Sequence, residues 1–343
     1  RSVIAPYRSR TPYYLTPEQR ELANLSRPWT RRLAVVKSLY STSIDVTIKN
    51  YTNRIPNFPY RYRYLAESNA SALGDYEYDV LALYKTIGAN ATAALEKAKA
   101  SGKPTIYVMD DNMFKFHELG EEFGYLKPGT QGYHHLEYQV SGCDQVISYN
   151  SVITEDCRRY NPRVIQSRTN IPGAYLTDKR SLARHRPYKF GIFTGPSRKQ
   201  ELQWLFPVLE QFSKLARDRV EFHFWGMNPD DFGRLPRKTH YRAFTNSYDQ
   251  YLEWLRAGEF DFILSPLDGT LDAARSKSPI KLLESTAAGA VWICSNVSPY
   301  SELPDDVCIK TGNAPEDWLA VLRKAADMEA SDINAIYARA YAY

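Results

Sequence analysis

The sequence predicts a two-domain α/β protein, each domain a parallel sheet doubly wound with helices. Three observations lead there. The 343 residues are more than one compact open sheet needs and enough for two separate cores. Short apolar runs alternate with amphipathic stretches along most of the chain, the pattern of β-α-β units whose parallel strands are covered on both faces. The alternation breaks over 170–186, where Pro172, Gly173 and several basic residues intervene, and then restarts. The expected organisation is an irregular arm over 1–30, a first Rossmann-like domain over 31–175, a second over 186–330, and a last helix over 331–343 that crosses back to the first domain.

Residues 1–30 hold Pro6, Pro12, Pro17 and Pro28 and no sustained periodicity, hence the arm. Strands are predicted at 33–37 and 78–84. An alanine-rich helix over 89–100 follows, ended by Ser101-Gly102 and Pro104. The apolar run at 105–109 leads straight into Asp110-Asp111-Asn112. A helix over 132–141, a strand over 145–149, a helix over 151–160 capped by its first serine and a strand over 164–167 complete the first series. The second series has strands at 189–193, 220–225, 241–244, 260–264, 291–294 and 307–310. A long amphipathic helix over 199–217, with an interruption expected at Pro207, and helices over 248–257, 278–288 and 314–328 lie between and after them.

Composition narrows the function. With 43% hydrophobic and 24% charged residues the chain is globular, and no apolar run is long enough to cross a bilayer. A cytoplasmic protein is expected. The first residue is Arg1, not methionine, and neither an apolar signal-peptide core nor a small-residue cleavage site follows it, so the sequence is read as part of a longer polypeptide with further domains. The four cysteines, Cys143, Cys157, Cys294 and Cys308, have no Cys-x-x-Cys spacing, so neither a metal site nor a disulfide framework is suggested. Net charge is +5, and Arg8, Arg10, Arg27, Arg31, Arg32, Arg54, Arg61 and Arg63 crowd the N-terminal part. Such a patch suits phosphates or a peripheral contact with the inner face of a membrane, and equally an ordinary solvated surface. No dedicated nucleic-acid motif accompanies it, so nucleic acid is not an expected partner.

Open parallel sheets bind ligands beyond the carboxyl ends of their strands, so two such domains would place a cleft between those ends. In the second domain the first of these turns is Gly195-Pro196-Ser197-Arg198-Lys199, where free backbone N–H groups of a helix start and two cations suit a diphosphate. Further on, Lys277, Lys281 and Glu284 fall on one polar stripe at helical spacing, with Ile280, Leu283 and Ala287 on an adjacent apolar one. A carboxylate there can accept both ribose hydroxyls while the lysines balance phosphate, although helix-surface ion pairs share the pattern.

The segment Ser278-Pro-Ile-Lys281-Leu-Leu-Glu284 with Gly289, followed by Ser295-Asn-Val-Ser-Pro-Tyr300, resembles the donor-binding segment of glycosyltransferase family four. The resemblance extends over roughly 75–330 and is most specific over 261–303. It implies the GT-B architecture, with acceptor bound by the first domain and sugar nucleotide by the second. It implies that Glu284 holds the nucleotide ribose and that Arg198 and Lys281, with Lys199 or Lys277, stabilise the diphosphate. The expected donor set is therefore Gly195, Ser197, Arg198, Lys199, Lys277, Ser278, Lys281 and Glu284, with Ser276, Lys281 and His134 as catalytic candidates. The expected activity is metal-independent, retaining transfer from a nucleoside diphosphate sugar to a hydroxyl of a glycan or lipid-linked acceptor, with no cofactor beyond the donor itself. Ser276 stands eight residues before Glu284, where the family commonly has an acid. That departure admits a second reading, a catalytically inactive glycan-binding or scaffold module. A third uses Asp110 and Asp111 to hold a divalent metal, since paired acids after a strand suit one.

Overall fold

The computed structural model describes residues 31–38, 44, 47–48, 60–74, 77–176, 178–179, 183–195, 198–233, 238–245 and 247–343, without the side chains of Lys199, Gln200 and Glu201. The expected arm over 1–30, and with it Arg8, Arg10 and Arg27, lies outside the described residues, as do Arg54 and Ser197. The chain forms two compact units. One comprises the described residues up to Phe114 with Gly124–Arg168, and the other comprises Lys115–Phe123 with Thr169–Tyr343.

The first unit is a six-stranded sheet of β1 (Arg31–Lys37), β2 (Tyr60–Ala66), β3 (Val80–Tyr84), β4 (Thr105–Met109), β5 (Gln145–Ser148) and β6 (Val164–Gln166). Its order is β2-β1-β3-β4-β5-β6, parallel throughout. Helices α1 (Ala89–Ala100), α2 (Gln131–Gly142) and α3 (Ser151–Arg158) connect the later strands. β3 is buried at every position, which a Val-Leu-Ala-Leu-Tyr run makes favourable on both faces. β2 was hidden in the basic patch: its Tyr-Arg-Tyr-Arg-Tyr alternation suits an edge strand, where arginines keep water on one side. Arg63 there pairs with Glu77, and Arg32 on β1 pairs with Asp79, so both patch members have acidic partners. The cap of α3 is Asn150 rather than the expected Ser151; its side chain accepts from the Ile153 N–H at 2.8 Å.

The second unit contains β7 (Tyr188–Thr194), β8 (Val220–Gly226), β9 (Thr239–Ala243), β10 (Phe262–Ser265), β11 (Val291–Ser295) and β12 (Ile309–Thr311). They pair in parallel as β9-β8-β7-β10-β11-β12. Counted from β7, this is the 3-2-1-4-5-6 order of a Rossmann sheet, whose strand order reverses between β7 and β10. Helices α4 (Lys199–Ala216), α5 (Tyr248–Ala257), α6 (Asp272–Arg275), α7 (Ile280–Ala288), α8 (Pro315–Asp327) and α9 (Ala330–Ala342) complete it.

Two expectations are corrected here. α4 runs through Pro207 without the expected interruption. Proline inside a helix costs about 3 kcal/mol, and the burial of Leu202, Leu205, Phe206, Leu209 and Phe212 in one core offsets it. α9, expected to cross back to the first domain, packs in the second unit, with Ile333 and Tyr337 in the same core as Phe190 and Phe222.

Candidate functional site

The reversal of strand order puts the carboxyl ends of β7 and β10 side by side, and a small pocket lies there. Phe193 and Thr194 from β7, Ser265 and Pro266 at the end of β10, and two cations, Arg198 and Lys281, are among its lining residues. Arg198 is the residue before α4, and Lys281 lies in the first turn of α7. Both helices therefore direct the positive ends of their dipoles, with unbonded N–H groups, to the same side of the sheet as the two cations. The Arg198 guanidinium donates to the Pro266 carbonyl at 2.5 Å, which holds it across the mouth between the two strands.

Glu284, one turn after Lys281, is 4% exposed. Tyr248 and Tyr251, three apart on α5, each donate a phenol to a different oxygen of its carboxylate, at 3.0 and 2.9 Å. Lys281 donates to Glu284 Oε2 at 2.5 Å and reaches the Tyr251 hydroxyl at 3.3 Å. Burial, and then the Glu284 carboxylate, push the Tyr251 phenol well above its ordinary range, so it acts as donor. A carboxylate offers about four lone-pair sites, and three have donors here. The face of Tyr251 is covered by Trp225, ring centroids 4.4 Å apart, and Trp225 by the half-exposed Phe244 at 4.6 Å. Gly226 follows Trp225 at the end of β8 with φ +91°, and a Cβ there would lie 2.2 Å from the Thr194 carbonyl. Only glycine lets β8 end this close to β7 beside the pocket.

The other expected residues divide clearly. Gly195 lies in the turn after β7, where its carbonyl accepts from the Arg198 N–H. The Lys199 side chain, like Ser197, lies outside the described residues. Lys277 and Ser278 precede α7 instead of forming its first turn, both half-buried, with the Lys277 ammonium 5.5 Å from the Phe116 ring centroid. Ser276 is fully buried, and its hydroxyl donates to the Asp272 carbonyl at 2.7 Å. His134 belongs to the first unit, exposed on α2 with Nδ1 3.4 Å from Glu137. Within the second unit the structure thus brings Arg198, Lys281 and Glu284 together, whereas Ser276 bonds within its own turn and His134 belongs to the other unit. Tyr248 and Tyr251 were missed, because tyrosines three apart on an amphipathic helix read as ordinary core packing.

In the first unit Asp110 and Asp111 both pair with Lys85, at 3.0 and 2.9 Å. Burial works against the Lys85 ammonium, but the two carboxylates outweigh it and hold its pKa well above the ordinary lysine value. A divalent ion on these acids would have to displace that ammonium.

No protein-family model matches the chain, and no curated protein does. Solved structures do. HepE of Anabaena, in complex with UDP-glucose, superposes with a TM-score of 0.62 over 91% of this chain and 94% of its own, at 12% identity. TarM of S. aureus, in a complex that includes UDP, gives 0.54 over 77% of this chain at 10% identity, and this chain spans about half (51%) of its length. The UDP-GlcNAc 2-epimerase of Methanocaldococcus jannaschii gives 0.50 over 87% of this chain and 92% of its own, at 10% identity. The fold is GT-B. Within it, the pocket of Arg198 and Lys281 occupies the switch point of the second sheet. Among the described residues, no helix is long and apolar enough to cross a membrane.

Proposed function

We propose that the chain is a glycosyltransferase that takes its sugar from a nucleoside diphosphate donor held by the second unit. The observation that carries this reading is the convergence of Arg198, Lys281 and Glu284 at the switch point between β7 and β10. In this reading the two cations and the starts of α4 and α7 take the diphosphate, and Glu284, oriented by Tyr248 and Tyr251, takes the ribose. Lys281 stands at the junction of these two tasks. One lone-pair site on Glu284 is open for a first ribose hydroxyl, and movement of the Lys281 ammonium onto phosphate opens a second. That UDP and UDP-glucose occupy HepE, and UDP occupies TarM, makes the uridine series the first to test.

The reaction so proposed is metal-independent transfer to a hydroxyl of a glycan or lipid-linked acceptor. Attack on the same face of the sugar as the departing diphosphate retains the anomeric configuration, with the leaving phosphate oxygen taking the acceptor proton. Lys281 and Arg198 stabilise the negative charge that develops on the leaving group. The buried hydroxyl of Ser276, bonded within its own turn, favours a second reading in which the chain binds the donor or a glycan without turnover.

The test is binding and turnover of UDP, GDP, ADP, dTDP and their sugars, with and without EDTA, in wild type and Glu284→Ala. Stabilisation by one nucleotide series, unaffected by EDTA and lost in Glu284→Ala, is the expected result. Nucleoside diphosphate release that depends on an added acceptor separates transfer from mere binding. Strict dependence on a divalent ion would overturn the metal-independent reading, and no binding at millimolar nucleotide would overturn the donor site.

A further inference from the structure

Glu221 and His223 are two residues apart on β8, so the alternation of a strand puts both on one face of the sheet. His240 on the neighbouring β9 is the register partner of His223. The pairing brings His240 beside the two ligating side chains of β8. His223 Nε2 is 2.8 Å from Glu221 Oε1, and His240 Nε2 is 4.0 Å from Glu221 Oε2. One ligand atom of each lies within 4.8 Å of the other two, a grouping that no other three His, Cys, Asp or Glu side chains make among the described residues.

From this geometry we infer that Glu221, His223 and His240 form a binding site for a borderline transition-metal dication, Zn²⁺ or Cu²⁺. Two imidazoles and one carboxylate leave a fourth position for water, and this nitrogen-rich set favours zinc or copper over magnesium or calcium. Metal–ligand bonds of about 2.0–2.2 Å place neighbouring ligand atoms roughly 3.0–3.5 Å apart. The Glu221–His223 pair is already near that spacing, and His240 has to close on the Glu221 carboxylate by less than about 1 Å. The two rings stack with centroids 4.5 Å apart and planes 16° from parallel, whereas a metal lies in the plane of each ring it binds. Binding therefore turns one ring. His240, 56% exposed, can turn, while Glu221 and His223 are 15% and 18% exposed and Phe260 packs its ring edge-on against His223. Lys189, opposite Glu221 on β7, donates its ammonium to the Gly258 carbonyl. The site lies mid-strand on β8 rather than at the carboxyl end, so it is separate from the pocket of Arg198 and Lys281 and independent of the proposed transferase reaction.

The metal-stripped chain is titrated with zinc chloride by calorimetry near neutral pH, and with Cu²⁺ for electron paramagnetic resonance. One saturable equivalent, a higher Tm with zinc, and copper hyperfine structure from two nitrogens are the expected results. H240A and E221Q each weaken zinc binding about tenfold or more, and H240A leaves one coordinating nitrogen. His185→Ala, at an exposed histidine elsewhere, leaves binding unchanged. Circular dichroism of each variant checks the fold. Zinc affinity unchanged in both H240A and E221Q, or no saturable equivalent at about 100 µM zinc, would overturn the assignment.

Discussion

Lys281→Met keeps most of the side-chain length and removes the charge, so it isolates what the ammonium does for Glu284. Removing one partner of a buried ion pair costs about 3–5 kcal/mol when the other charge is stranded. Here Tyr248 and Tyr251 still donate to the carboxylate, and the Lys281 side chain is 20% exposed, both of which reduce that figure. A loss of about 2–3 kcal/mol is expected, close to the value of a hydrogen bond to a charged group. Glu284→Gln leaves Lys281 free to turn to water and is expected to cost about 1–2 kcal/mol, mainly through the two phenols. The double variant removes both charges, so its cost falls short of the sum by about 1–2 kcal/mol. Urea unfolding of the four proteins, followed by tryptophan fluorescence and by far-ultraviolet circular dichroism, measures this. Trp225 packs tilted against Tyr251, with ring centroids 4.4 Å apart, so part of the emission comes from beside the site. Two units make a second transition a real prospect, and Trp204, Trp225, Trp254, Trp292 and Trp318 all lie in the second, so the comparison uses the transition in which the tryptophan fluorescence changes. Additivity within about 0.3–0.5 kcal/mol would refute the pairing as the reason Glu284 is tolerated in this core.

Gly226→Ala meets both a positive φ and a carbonyl 2.2 Å from the new Cβ, so a loss of about 2–4 kcal/mol is expected, with weaker nucleotide binding. Gly102→Ala, also at positive φ but with nothing within 4 Å of the new Cβ, shows the smaller backbone effect alone in the same thermal melts. Burial pushes the Cys143 and Cys157 thiols up to about 12, so iodoacetamide at neutral pH leaves both unmodified in the folded chain and alkylates them in urea, as mass spectrometry will record. The Arg32 hydrogen bond holds the Asp79 carboxyl below its ordinary 3.8. As pH falls below that value the unfolded state takes up this proton before the folded state does, so the pair's stabilisation is present above 3.8 and is lost as pH falls through the depressed folded value. The stability difference between wild type and Arg32→Gln, from urea unfolding across the acid range, is therefore expected to shrink there; a constant difference would contradict the linkage.

The pattern of strands and helices carried most of the architecture, because buried parallel strands and amphipathic helices have distinct apolar periods. The candidate site was legible where its residues are close in sequence. Lys281 and Glu284 sit one turn apart on α7, and the spacing alone put them side by side. Arg198 joined them through the general rule that parallel sheets bind at their carboxyl ends. What escaped depends on long-range pairing. Nothing in the Tyr248 and Tyr251 spacing says that α5 faces Glu284, and nothing in β8 says that His240 will lie beside His223. β2 escaped for another reason, since alternating Tyr and Arg has a strand's period but a solvated surface's charge. Pro207 shows the opposite failure, where a reliable local rule yielded to burial of the helix face around it.

The segment Lys115–Phe123 groups with residues that follow it by about 150 positions: Lys115 pairs with Asp272, and Glu118 accepts from the Ala273 N–H across 155 residues of chain. During synthesis from the N-terminus this stretch leaves the ribosome well before its partners exist. A truncation that starts the second unit at Thr169 would carry the same deficit permanently, leaving the start of α6 without the Glu118 carboxylate. The second unit is thus not a portable cassette that can be cut out or exchanged between homologous chains at a single junction. Grafts between such proteins need two junctions, one on either side of 115–123, as well as the obvious one near residue 169.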